Sequence, residues 1–169
     1  MMILLWFVVN IAVLVHSLEV DIIPCLEAHN AKRRFHGVPE LNWDAELAAG
    51  AAAWASHLSQ NNILHISNAN GEYGENLYTM TGYGTVGTCE KAVEYWYKSI
   101  KNYNFQVPGY STTSGTFTQI VWKSSYKLGV GRAVKSVGKN GYLQTVIVAR
   151  YSPAGNIRGH FEANVLQPK

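Results

Sequence analysis

The segment SGTFTQIVWKSS, Ser114 to Ser125, carries the most structural information in the chain. Three other short motifs stand around it in order: HNAKR at residues 29–33, GENL at 74–77 and ARYSPAGNI at 149–157. Any one of them is a weak signal, whereas four in a set order along one chain specify a single architecture. Within the segment, the residue after Gly115 is Thr116, whose hydroxyl neither titrates near neutral pH nor serves as a good zinc ligand.

The segment resembles the G-H-F-T-x-hydrophobic-V-W-x-x-S/T signature of the CAP superfamily, which comprises cysteine-rich secretory proteins, antigen 5 allergens and plant pathogenesis-related proteins. The other motifs match its H-N-x-x-R, G-E-N-hydrophobic and Y-x-P-x-G-N elements. The run IKNYNF (residues 100–105) through Pro108-Gly109, with Glu162 to Leu166, most resembles the small Golgi-associated plant pathogenesis-related branch. The resemblance implies an α+β fold, a three-layer α-β-α sandwich around a small antiparallel sheet, as one domain over residues 18–169.

It also implies a cleft. Family members that bind divalent ions use two histidines flanked by two glutamates. Here one glutamate is retained as Glu75, the second falls on Ser99, and one histidine position is Thr116. The other histidine is His65 in Leu64-His65-Ile66-Ser67, one residue early, a shift that would redirect a side chain on regular structure. The expectation is a vestigial cleft with no metal, no cofactor and no catalytic residue, because a zinc site needs three or four well-placed donors. Two finer readings stay open. His65 and Glu75 form a hydrogen-bonded pair, or Ser99, His65 and Glu75 converge as a rearranged hydrolase triad, although no G-x-S-x-G occurs. His29 reads as structural, and His57 and His160 as surface residues.

Residues 103–115, with Tyr103, Phe105, Pro108, Gly109 and Tyr110, resemble a loop that in some relatives is assigned to sterols and related lipids. Three aromatics on a Pro-Gly loop can form an apolar wall, and burial of a sterol's rings is favoured by about 25 cal/mol per Å². The competing reading is a loop that merely covers the core. A secreted, non-enzymatic carrier of a sterol or small lipid is therefore expected. The alternatives are a protein-partner effector of the antigen 5 or venom-allergen type that engages an extracellular protein, and a divalent-metal-dependent or hydrolytic enzyme that uses a rearranged cleft.

Residues 1–17 read as a signal peptide, since Met2 to Val15 are almost wholly apolar and Val15-His16-Ser17 offers a cleavage site before Leu18. The apolar run is short for a membrane span and is broken by Asn10. The formal net charge of +3 is scattered, which argues against nucleic acid and leaves only weak attraction to anionic membrane surfaces. The two cysteines, Cys25 and Cys89, form one bridge in an oxidising compartment or remain two buried thiols.

Periodicity places a first helix over about Pro24 to His36, stopping before Gly37 and Pro39. A second runs from Ala45 to Gln60 with Asp44 as N-cap, and a third starts after Thr88. Trp54 and Trp96 fall on their apolar stripes. Strands are expected near Asn76 to Met80, through Leu128, Val130 and Val134, and over Tyr142 to Arg150, with a turn at Lys139-Asn140-Gly141.

Overall fold

The computed structural model describes residues 22–169. The leader assigned to residues 1–17 lies outside the described residues. Helix α1 occupies 22–35, followed by β1 (Asn42–Trp43), α2 (Ala45–Asn61), β2 (Gly74–Tyr83) and α3 (Cys89–Tyr97). A 3-10 turn (Lys98–Asn102), α4 (Gly115–Ile120), β3 (Lys127–Val137), β4 (Tyr142–Ser152) and the single turn α5 (Phe161–Asn164) complete the chain. No helix among the described residues is long and apolar enough to cross a membrane.

The helix starts follow from their caps. Asp44 accepts from the amides of Glu46 and Leu47 at 3.1 and 2.9 Å, satisfying two donors that the first turn of α2 leaves without partners. Thr88 does the same for Lys91 at the head of α3. Asn62, at φ 55°, ends α2 in the left-handed conformation that asparagine tolerates.

The sheet has the order β1-β3-β4-β2, with β2, β4 and β3 antiparallel and the two-residue β1 added in parallel. Strand β4 explains the three layers. Val146 and Val148 pack with Ala51, Ala55 and Leu58 of α2, while Ile147, Ala149 and Tyr151 pack with Val93 and Trp96 of α3 and Phe117 and Ile120 of α4. Burial on alternate sides is the two-residue period of a strand covered on both faces. Trp96 is fully buried, as its stripe predicts, whereas Trp54 is only half-buried at the margin of the α2 layer.

Helix α2 lies close on β3 because Gly129 and Gly131 carry no side chain. A Cβ on either would overlap the backbone of Leu47 and Ala48 or of Ala51 and Ala52. The β3–β4 hairpin turns through residues 138–141, where Gly138 and Gly141 hold φ of 69° and 72°. Cys25 of α1 and Cys89 of α3 form a disulfide with Cα atoms 5.1 Å apart, closing a loop of 64 residues. In the chain-entropy account such a loop contributes about 4 kcal/mol.

Candidate functional site

The four motifs prove to be one hydrogen-bonded assembly. Arg33 of HNAKR is fully buried, and its guanidinium donates to the carbonyls of Pro39 (2.7 Å), Ile120 (2.8 Å), Trp122 (2.9 Å) and Ser125 (2.7 Å). It therefore ties α1 to the 114–125 segment, and burial lowers its pKa to about 10. His29 lies one helical turn earlier, bonded through Nδ1 to the Cys25 carbonyl and through Nε2 to the Tyr151 hydroxyl, each at 2.9 Å. Desolvation depresses its pKa to about 4. From ARYSPAGNI, Asn156 donates to the Gly115 carbonyl (2.9 Å) and accepts from Thr118 (2.5 Å). Gln119 accepts from the amide of Gly155 at 3.1 Å. From GENL, Asn76 donates to the Thr116 carbonyl at 3.0 Å.

This assembly forms one wall of a cleft of about 660 Å³ beside the first residues of β2. Most of the segment from Leu64 to Gly74 also lines it, together with Tyr110, Thr112 and Gly155. The floor is polar, with Glu75, Asn76, Thr116, Gln119 and Asn156. At the mouth stand apolar groups: Leu64 is 53% exposed, Ile66 66% and Tyr110 51%.

Three of the four positions assigned to the vestigial cleft line it: His65, Glu75 and Thr116. Ser99 lies just behind, its Oγ 3.0 Å from Thr116 Oγ1. The Ser99 hydroxyl donates to the Trp96 carbonyl (2.8 Å) and accepts from the amide of Phe117 (3.1 Å). Glu75 does not pair with His65. Opposite it across the sheet stands Arg150, whose Nε donates to Oε2 at 3.0 Å. The amide and hydroxyl of Ser67 donate to the same carboxylate at 2.7 and 2.8 Å. Arg150 also lies over the Tyr73 ring at 4.2 Å, so one ion pair fastens the 65–75 segment to the sheet.

His65 has turned elsewhere. Its ring meets Trp54 edge-on at 5.3 Å, and its Nδ1 lies 3.0 Å from the Ile66 carbonyl. This geometry assembles neither of the two finer readings left open by the sequence, the Ser99–His65–Glu75 triad and the Glu75–His65 pair. Ser99 is spent on α3 and α4, Glu75 on Arg150 and Ser67, and the one-residue displacement carries His65 to the α2 side. Neither Arg150 nor Ser67 stands out in the sequence. The signal for Arg150 is its place opposite Glu75 in two paired strands, which needs the register before it can be used.

The 103–115 loop divides. Tyr103 is 9% exposed and meets Phe105 at 4.8 Å and Phe117 at 5.7 Å. Phe105 is half-buried and lies 6.1 Å from Phe117. These two rings pack on the core with Phe117 and also line a shallow groove on the outer side of the loop. Among the named candidates, Tyr110 alone lines the cleft. Pro108 is exposed and Gly109 half-buried on the outer turn, next to Val107, which is 73% exposed. A shallow groove of about 460 Å³ follows residues 101–106 and Gln167. His57 and His160 are exposed as expected.

Comparison with known proteins agrees with this architecture. The profile described as "CAP: Cysteine-rich secretory protein family" matches residues 26–151. The human Golgi-associated plant pathogenesis-related protein 1 is 43% identical over 148 residues, covering 85% of this chain and 91% of that protein. Pathogenesis-related protein 1A of Nicotiana tabacum is 37% identical over 137 residues, covering 79% and 76%. The solved structure of MpPR-1i superimposes with a TM-score of 0.61 at 22% identity, covering 85% of this chain and 93% of that one. The chain belongs to the CAP family, the cysteine-rich secretory protein family.

Proposed function

We propose that this chain is a non-enzymatic binding protein of the secretory route whose cleft receives a small, largely apolar molecule carrying one polar group, with a sterol as the reference ligand. The observation that carries the reading is the distribution of polarity in the cleft. Its one acidic group placed for chemistry, Glu75, is neutralised by Arg150 and Ser67, while Leu64, Ile66 and Tyr110 present apolar surface at the mouth. A volume of about 660 Å³ lies in the range of small-molecule sites. The apolar groups at the mouth favour the body of a sterol, and hydroxyl and amide groups on the floor suit its single hydroxyl.

The non-enzymatic part is supported by the ion pair at Glu75: the one cleft hydroxyl bonded to that carboxylate, Ser67, faces a partner already neutralised by Arg150 rather than a free base. The apolar leader supports a secreted destination, as does the Cys25–Cys89 disulfide.

The test is equilibrium binding of labelled cholesterol and of a fatty acid to the oxidised protein, with and without EDTA, alongside Ile66→Asp and Tyr110→Asp. The expected result is saturable cholesterol binding that ignores EDTA and weakens about tenfold in each variant, the order expected for losing one buried apolar side chain. Failure to bind either lipid would sink the carrier reading and turn attention to an extracellular protein partner at the same mouth.

A further inference from the structure

The cluster around the disulfide is chemically richer than a structural staple requires. Cys25 Sγ, Cys89 Sγ and a ring nitrogen of His29 all lie within 4.8 Å of one another, and all three residues are buried. In a tetrahedral zinc site with Zn–S bonds of about 2.3 Å, neighbouring ligand atoms stand about 3.8 Å apart. The trio is thus close to a ligand set when the S–S bond is open. A cavity of about 60 Å³ borders both cysteines, together with Ile22, Trp43, Val130 and Arg132. It has room for a water-sized fourth ligand.

We propose that Cys25, Cys89 and His29 form a redox-gated metal site, separate from the cleft, that holds a thiophilic divalent cation such as Zn2+ once the disulfide is reduced. The reductant is a dithiol. It delivers two electrons and two protons, the Cys25–Cys89 S–S bond breaks to give two thiols, and the dithiol leaves as its cyclic disulfide. The cation then displaces the two thiol protons to solvent and forms two S–metal bonds and one bond to His29 Nδ1.

That nitrogen now donates to the Cys25 carbonyl at 2.9 Å and lies 4.0 Å from Cys25 Sγ, so the metal bond replaces this hydrogen bond and its proton moves to Nε2. Metal binding requires the imidazole proton to sit on Nε2, where the Tyr151 oxygen at 2.9 Å is placed to accept it. A ligating histidine held by a hydrogen bond from its other nitrogen is the usual arrangement around a protein-bound metal. In an oxidising compartment the two cysteines are a covalent staple. In a reducing one, the metal takes over the link between α1 and α3.

The experiment uses the full chain, reduced with a phosphine under anaerobic conditions and titrated with Co2+ and then Zn2+. The expected result is one Co2+ per chain with thiolate-to-cobalt charge transfer and tetrahedral ligand-field absorption, reversed by Zn2+ and absent from the oxidised protein. His29→Gln is expected to weaken Co2+ by more than about tenfold. Because His29 is buried and its substitution could disturb folding, imidazole 15N spectra of the folded, reduced natural chain provide a second reading. Zn2+ should shift Nδ1 of His29 and move the imidazole proton from Nδ1 to Nε2. A reduced protein without the thiolate–cobalt band, a folded His29→Gln chain with unchanged affinity, or His29 nitrogens indifferent to Zn2+ would each overturn the proposal.

Discussion

Ser99 Oγ lies 3.0 Å from Thr116 Oγ1, so two of the positions assigned to the vestigial cleft are a pair of hydroxyls bonded to each other. Ser99 also links the end of α3 to the amide of Phe117. The pair thus joins α3 to α4 behind the cleft. Ser99→Ala leaves the Phe117 amide without a partner and is expected to lower stability by about 1–2 kcal/mol. Urea denaturation of the two proteins measures it.

The Glu75–Arg150 pair is almost enclosed, with side chains 4% and 11% exposed. Removing one partner strands the other charge in a buried site, so Glu75→Gln is expected to cost about 3 kcal/mol and to free the 65–75 segment. Replacing both, as Glu75→Leu with Arg150→Met, should recover most of that loss. A double-mutant cycle followed by thermal melts checks both statements.

Close packing of α2 on β3 gives a sharper steric prediction. Gly131→Val places a branched side chain against the α2 backbone, and a loss of about 3 kcal/mol or more is expected because neither element can withdraw from the core. A methyl group added at Gly109 would meet no atom within 4 Å, so Gly109→Ala should stay within about 0.5 kcal/mol of the natural chain. Calorimetric melting temperatures separate the two.

Much of the fold was legible because its signals are local. Asp44 and Thr88 mark their helices through caps, and the β-branched run in β4 marks a central strand. The glycines of β3 look like weaknesses in a strand until the helix above them is known. The site was less legible because it depends on long-range partners. Glu75 could be found from its motif, but Arg150 stands 75 positions away, and only the sheet register brings them together. Tyr103 and Phe105 are aromatic in sequence whether they face solvent or core, and Phe117 decides the matter.

His29 gives the pH dependence. Its pKa falls from 6.5 to about 4 on burial, so between those values the unfolded chain holds a proton that the folded chain does not. Stability therefore rises with pH through this window. It is fully present above about pH 6.5 and is progressively lost as the pH falls toward 4, by roughly 3 kcal/mol for a shift of this size. His36, whose pKa is also lowered by desolvation, adds in the same direction. Denaturation midpoints across this range in the natural chain and in His29→Gln check the sign, and the variant's slope should be shallower.

Amide chemical-shift mapping with cholesterol distinguishes binding in the cleft from binding at the outer loop. Binding in the cleft should shift Leu64, Ile66, Tyr110 and Thr116 and leave residues 101–106 undisturbed. Shifts confined to residues 101–107, or none at saturating cholesterol, would contradict it.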